Sequence, residues 1–552
     1  MIFNKTEEIQ QDMQLIISQR YKVWRFLLNS HTLFFALFPP IALYAINIAR
    51  FPGDQIFRSL IVLAIAGLGL FALGWLISRD IERSTLFASL FLFFSMNYGH
   101  AYTGLGSLIS EIWKYSGNEI DLGNTSLGRH IVLLIIWIAL AVVIYKAITR
   151  KEQWMHTAPT FLFLVAVTAF LFPTVRIILS WGEIRTVLSE NLSSGGIDME
   201  LTPDNDLEKP DVYYIYLDGY GREDILEEFY NYDNSYFLKE LEGQGFYIAK
   251  RSRSNYSNTV TSLASSINMN YLDEIAEIPP DDVLCRKVLA QSIDSNEIMR
   301  IFRNLGYQFI AFSTGFTTTE ITDADLYLQS EEIGLNPFES LLIRNSILLP
   351  FFNFSSFMGI PFEYPGYSGH RERISFTLGQ LRLLTVEAGP KFVFAHIVAP
   401  HPPFVFDANG IAQDQRYPFD FWDGDMFQGT YEDYIQGYSD QVTFLNNSLL
   451  IWLKDLLGKF PLEPIIILQS DHGPRSTMEW RSPSQDAMRE ATAILNAYYL
   501  PGVDKSILYD EISPVNTFRV VLNSYFNADL DLLEDRTFFM STGCQDFSYE
   551  LK

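Results

Sequence analysis

Five long apolar runs dominate the first third of the chain, at about residues 31–49, 57–77, 84–104, 130–148 and 158–178. A helix that crosses a bilayer needs ~20 such residues, so the pattern predicts five spanning helices within residues 1–181. A cleaved signal peptide fits poorly, because residues 1–30 are polar and precede the first run by too much. Residues 182–210, which include "SENLSSGGIDMELTPDNDLEKP", are polar and rich in turn formers, and they read as a linker. From Asp211 the pattern changes. Short apolar runs ("DVYYIYLD", "YQFIAFS", "KFVFAHIVA", "PIIILQS") alternate with amphipathic segments such as "SYFLKELEGQG" and "YSDQVTFLNNSLLIWLKDLLGKF". That interleaving predicts an α/β domain over residues 211–552, with a mainly parallel sheet covered by helices. Residues from about 330 to 372, rich in Phe, Pro, Gly and Asn, read as an insertion over one end of that sheet.

Charge gives the runs a direction. Arg20, Lys22 and Arg25 precede the first run, Arg79 and Arg83 lie between the second and third, and Lys146, Arg150 and Lys151 lie between the fourth and fifth. The alternate loops are poorer in Lys and Arg, so the amino terminus is expected in the cytoplasm and everything after the fifth run outside it. The protein is therefore expected in a plasma or inner membrane, as a multi-pass protein. Beyond residue 181 the chain holds 26 Lys and Arg against 55 Asp and Glu, a formal charge of −29. Such a surface excludes nucleic acid as a partner, and an anionic substrate would need a local cation in its pocket. Both cysteines, Cys285 and Cys544, fall in this outer part. A disulfide is permitted there, and two unlinked thiols fit the sequence equally well.

Three strand ends offer chemistry. The first outer strand stops at Asp218-Gly219; "SRSNYSNTVTSLASSINM" places Thr259 at an expected helix start, with Ser262 one turn on; and "PIIILQSDHG" sets Asp471 and His472 side by side after a buried strand. Singly, each has a plain structural meaning: a tight Asp-Gly turn, a helix cap, a turn with a capping aspartate. Together, two carboxylates, an imidazole and a hydroxyl suit a divalent ion such as Zn²⁺ or Mn²⁺, and such an ion would activate an otherwise weak threonine nucleophile. A helix amino terminus at Thr259 would favour a phosphate or sulfate. Arg475, four residues after Asp471, matches phosphate geometry with its guanidinium.

These segments resemble the alkaline phosphatase superfamily, specifically its membrane-anchored sulfatase-like branch, which includes lipoteichoic acid synthase and the phosphoethanolamine transferases. "YLDGYGR" resembles the first metal-binding segment, "NYSNTVTSLASS" the nucleophile segment, "APHPPFVF" the substrate-histidine segment and "SDHG" the second metal-binding segment. The resemblance implies that Asp218, Thr259, Asp471 and His472 bind one divalent ion, that Thr259 rather than Thr261 attacks, and that His401 faces the substrate. Two departures limit it: Asp218 stands where lipoteichoic acid synthase has a glutamate, and no Cys-x-Pro-x-Arg is present, which counts against sulfate ester hydrolysis. A complete two-zinc set is also missing, so one ion is expected. His396 reads as structural, and His370 as an aid to an anionic headgroup or an ordinary loop residue. His31, His100, His130 and His156 are assigned no chemistry. The expected activity is transfer of a phospho-headgroup from a membrane lipid donor to a glycan or lipid acceptor through a phosphothreonine. Ester hydrolysis by the same centre and a non-catalytic membrane receptor are the rival readings.

Overall fold

The computed structural model of the chain describes residues 24–48, 50–106, 126–191, 209–276, 278–279, 281–330, 335–351, 366–384, 389–413, 419–459, 462–540 and 549–551. The chain divides into two compact units: Met1–Trp181 with Leu335–Glu363, and Gly182–Gly334 with Tyr364–Lys552.

The first unit is helical. Among the described residues four helices are long and apolar enough to cross a membrane: Trp24–Ile46, Gly53–Ser78, Arg129–Thr149 and Glu152–Ser189. They leave large apolar side chains uncovered, among them Ile61, Ile65, Ile135 and Phe161, as helices facing lipid must. The third apolar run departs from expectation. It forms a helix of 16 residues, Ile81–Met96, interrupted by a turn at Asn97 whose side-chain amide donates to the Phe93 carbonyl (2.9 Å), and the chain is helical again over 98–106. Five spans are therefore not met by length and composition. This helix also buries a polar stripe, Ser84, Thr85, Ser89 and Ser95. Ser89 meets His31 Nδ1 (2.7 Å) and Thr32 (3.1 Å) on the neighbouring helix, the kind of interhelical hydrogen bond that replaces hydrophobic attraction inside a bilayer.

Of the stretch read as an insertion over the sheet, the described residues Leu335–Phe351 group with this helical unit and not with the unit that holds the sheet. Asn336 caps the helix Pro337–Arg344 in a capping box with Glu339, and Glu339 pairs with Arg58.

The second unit is built on a seven-stranded sheet in the order β2-β7-β6-β1-β5-β3-β4. The strands are β1 Val212–Asp218, β2 Tyr247–Ile248, β3 Gln308–Phe312, β4 Leu326–Leu328, β5 Lys391–Pro400, β6 Ile465–Ser470 and β7 Asn496–Tyr499. Pairings across β6, β1, β5, β3 and β4 are all parallel, whereas β7 runs against both of its neighbours. The sheet is thus mainly parallel, as expected. Every residue of β1, β5 and β6 is buried, which explains why these strands read as continuous apolar runs. β1 lies at the centre, with β5 and β6 on either side. Their parallel carboxyl ends lie side by side at the middle of the sheet, and in open α/β sheets the crevice beyond such ends holds ligands.

Candidate metal and nucleophile centre

Three strand ends and one helix start converge at this crevice. At the end of β1, Asp218 is followed by Gly219 at φ +77°, a conformation that favours glycine, so the Asp-Gly pair is a turn as well as a source of a carboxylate. The pairing of β1 with β5 slips between Leu217 and Asp218, and the His401 backbone N–H donates to the Asp218 carbonyl (3.0 Å). That slip carries the loop after β5 across the end of β1. After β6, Asp471 accepts from the backbone N–H groups of Gly219 (2.8 Å) and His472 (2.7 Å) through Oδ1. Gly473 is required by contact: a Cβ there would lie 2.0 Å from the Glu490 carbonyl oxygen.

The helix Thr259–Asn268 begins at Thr259, with Asn258 as a cap that makes no side-chain bond. Thr259 is therefore the first helical residue and not the cap. Two bonds tie this helix to the turn after β6. Ser262 Oγ donates to the Asp471 carbonyl (2.6 Å), and Thr259 Oγ1 lies 3.1 Å from His472 Nε2. Thr261 instead donates to the Asn258 carbonyl (2.9 Å), so of the two threonines only Thr259 meets the imidazole.

His472 Nδ1 donates to the Gly473 carbonyl (2.8 Å), which fixes the tautomer and leaves the Nε2 lone pair facing inward. Burial, aided by the nearby Arg475, holds this imidazole well below its ordinary pKa and so neutral. Around Nε2 stand Thr259 Oγ1 at 3.1 Å, Asp471 Oδ2 at 3.2 Å and Asp218 Oδ1 at 3.4 Å. The edge of a tetrahedron with zinc-like arms of about 2.0–2.1 Å is about 3.3–3.4 Å, so the spacing suits a compact divalent ion. Asp218 Oδ1 and Asp471 Oδ2 are buried without a hydrogen-bond partner, a costly state for carboxylate oxygens unless a cation satisfies them. The donor set fits the expected ion.

The two carboxylates are driven apart electrostatically. Burial and the adjacent Asp218 push Asp471 up to about 7. Burial would also raise Asp218, but the imidazoles of His401, His396 and His472 overrule it and hold that carboxyl below its usual range. Without a cation Asp471 therefore keeps its proton to higher pH than Asp218 does.

Beside this cluster lies a cavity of about 680 Å³ whose wall includes Asp218, Thr259, His401 and Arg475. His401 and Arg475, both expected to meet substrate, are joined by a residue that the sequence did not single out. Asp423, 4% exposed, has Oδ2 3.5 Å from His401 Nε2 and 3.4 Å from Arg475 Nη1. Its Oδ1 accepts from the Tyr434 hydroxyl (2.7 Å) and the Gly424 N–H (2.8 Å). Arg475 also donates to the Ser257 carbonyl and lies over the Trp480 ring (5.0 Å). His396, read as structural, is buried on β5 with Nε2 3.7 Å from Asp218 Oδ2, and two buried sets are close enough to share an ion: Asp218 with His401 and His472, and Asp218 with His396 and Asp471. His370 is fully buried against Phe419 and Phe421 and is not a loop residue. Cys285 is buried and disulfide-bonded, and Cys544 lies outside the described residues.

No protein-family model matches the chain, and no curated protein matches it. Solved structures similar to it include the integral membrane lipooligosaccharide phosphoethanolamine transferase A from Neisseria meningitidis. That likeness has 12% identity, covers 90% of this chain and 94% of that one, and has a TM-score of 0.38. The C-terminal periplasmic domain of EcEptC from Escherichia coli is similar at 12% identity over 60% of this chain and 86% of that one, with a TM-score of 0.37. A putative sulfatase from Bacteroides thetaiotaomicron is similar at 12% identity over 60% and 74%, with a TM-score of 0.38.

Proposed function

We propose that this protein is a metal-dependent phosphotransferase of the membrane-anchored, sulfatase-like branch of the alkaline phosphatase superfamily. It takes a phospho-headgroup from a membrane lipid and passes it to a glycan or lipid of the cell envelope. One observation carries the reading: the Thr259 hydroxyl, at a helix start on the wall of the cavity, sits within 3.1 Å of a tautomer-fixed histidine flanked by two buried, partnerless carboxylate oxygens.

Asp218, Thr259, Asp471 and His472 would hold one divalent ion, zinc or manganese. Bound there, the ion supplies positive charge that favours the ionised hydroxyl and offsets charge on phosphoryl oxygens. Thr259 Oγ attacks phosphorus, the bond from phosphorus to the lipid alcohol breaks, and a phosphothreonine forms. The departing alcohol gains the proton that Thr259 loses, with His401 Nε2 as the carrier at the cavity wall. Arg475, held by Asp423, faces the phosphoryl oxygens. In the second step the acceptor hydroxyl attacks the same phosphorus, the Thr259 Oγ–P bond breaks, and the acceptor proton returns to Thr259.

In this reading residues 1–181 span the membrane five times from a cytoplasmic amino terminus, 182–210 link, and 211–552 work outside. The short third helix is supported as a span by its ends. Glu82 near its start pairs with Arg25 and lies 3.5 Å from His156, while Ser95 at its finish accepts from Ile347 N–H. Arg25 and His156 themselves stand at the starts of two spanning helices.

Mass spectrometry of protein incubated with phospholipid tests the proposal. A phospho-headgroup adduct on Thr259, absent from Thr259→Ala, is expected, and its release should depend on added glycan or lipid acceptor. Headgroup release at an unchanged rate without acceptor would turn the reading to hydrolysis. An unmodified Thr259, with full cellular function in Thr259→Ala, would turn it to a non-catalytic receptor.

A further inference from the structure

The segment Leu335–Phe351 interrupts the globular unit. The chain before it, through Gly334, and the chain after it, from Tyr364, belong to that unit, yet the segment itself folds with the spanning helices. Its attachments are specific. The Glu339 carboxylate, 5% exposed, pairs with Arg58, and Asn336 Nδ2 donates to the Gln55 carbonyl (3.0 Å). Phe338, wholly buried, sits edge-on to Phe51 (5.5 Å) and Tyr44 (6.5 Å). Gly99 N–H donates to the Asn345 carbonyl (3.0 Å), and the Ile347 N–H to Ser95 (2.7 Å). Gly99 is there because the backbones touch: a Cβ would lie 2.4 Å from the Arg344 carbonyl oxygen.

All of these partners stand at one end of the helical bundle. Tyr44 closes the helix His31–Ile46, Gln55 and Arg58 open the next, and Ser95 and Gly99 flank the end of Ile81–Met96. Residues 331–334 and 352–363, which join the segment to the globular unit, are each too short for a spanning helix, so the chain enters and leaves the segment from the same side of the membrane. The segment's outward side chains are apolar: Leu348 and Phe351 are 49% and 54% exposed. Phe57, beside Arg58, and Ile61 one turn on are exposed as well and belong to a spanning helix. From Asn345 to Phe362 there is no Asp, Glu, Lys or Arg, in a region of the chain otherwise dense in acid.

We propose that Leu335–Phe351 is a second membrane anchor of the globular part, and that its outward partner is the boundary between lipid headgroups and acyl chains on that side of the bilayer. Buried polar pairs fasten it to the spanning helices, and Leu348 and Phe351 meet lipid, as amphipathic interfacial elements do. The linker after the last span is then not what alone keeps the globular part at the membrane. Cutting that linker leaves the two pieces together. This holds whether or not the proposed transferase activity is correct, and its test needs no turnover.

A protease site placed between Ser193 and Gly196 in the full chain, reconstituted in phosphatidylethanolamine–phosphatidylglycerol vesicles, gives the experiment. After complete cleavage, the carboxyl-terminal piece should float with the vesicles. The cut double variant Phe338→Ala/Glu339→Gln should release it, while the same variant uncut still floats. A photo-crosslinking amino acid in place of Phe351 should yield lipid adducts, and one in place of Ile411, an exposed residue of the globular unit, should not. Release of the cut unmodified chain overturns the anchor. Adducts at position 351 no more abundant than at 411 overturn its contact with lipid.

Discussion

Asp423→Asn isolates what the carboxylate between His401 and Arg475 contributes. The substitution keeps Oδ1 as acceptor for Tyr434 and Gly424, and it replaces Oδ2 with a donor that faces a guanidinium at 3.4 Å and an imidazole at 3.5 Å. Coulomb attraction between unit charges 3.4 Å apart is about 5 kcal/mol at an effective dielectric of 20, but desolvation of both groups cancels much of it. The surviving term is that of a charge-assisted hydrogen bond, about 1.5–3 kcal/mol. At 1.36 kcal/mol per decade, kcat/KM should fall about 10- to 150-fold, carried mainly by KM if Arg475 grips ground and transition states alike. The assay is steady-state turnover of a chromogenic phosphoester by metal-loaded protein in detergent, with thermal melting measured in parallel. Because Asp423 acts through Arg475, the penalty should shrink to near nothing in an Arg475→Ala background. Penalties that simply add in the double variant, or full activity in Asp423→Asn, would refute the positioning role.

Three further outcomes are expected. In the ion-free protein the raised Asp471 favours folding at pH values below its unfolded pKa, an advantage lost as pH climbs through about 7. An incoming ion must displace that proton. Apparent affinity for zinc should therefore weaken about tenfold for each pH unit below about 7, and calorimetry in buffers of different ionisation enthalpy should count about one more proton released at pH 6 than at pH 8. Equal release at both, or its persistence in Asp471→Asn, would show that the proton belongs elsewhere. Gly473→Ala sets a Cβ 2.0 Å from one backbone carbonyl and 2.9 Å from another, so it should cost at least the ~1–3 kcal/mol of ordinary overpacking, read as a lower melting temperature and weaker zinc binding. Thr259→Ser keeps the hydroxyl and should keep measurable turnover, whereas Thr259→Ala should lose about 10³-fold or more; equal activities would remove Thr259 as nucleophile.

The legible parts of the fold were those with long signals. β1, β5 and β6 are buried on both faces and announced themselves as apolar runs, and they are the strands whose ends carry Asp218, His401 and Asp471. β2, with two residues, and the half-buried β4 are too short to show a period, and β7 is only "NAYY". The third membrane run is less plain: hydropathy averages over Asn97, where a turn interrupts the helix. Thr259 and Thr261 could be told apart in the sequence only by analogy, whereas in the fold their hydroxyls face different partners. Asp423 was invisible because it follows no strand and sits in "FDFWDGDMF" beside two other aspartates. What marks it is convergence with Arg475, 52 positions away, and pairings at that separation leave no periodic trace. His396 had a cue in being the sole polar residue between Phe392 and Ala399, since an imidazole in a central strand must find a partner.

The double tie between the Thr259–Asn268 helix and the turn after β6 has a bearing on how the cavity can breathe. Threonine, aspartate and histidine are stitched into one slab, so parting them would mean pulling the helix start away from the turn after β6. The facing side is built otherwise, from a stretch around Gly424 at φ +63° and half-bare Met426. A bulky donor thus meets a tied floor on one side and an exposed methionine on the other.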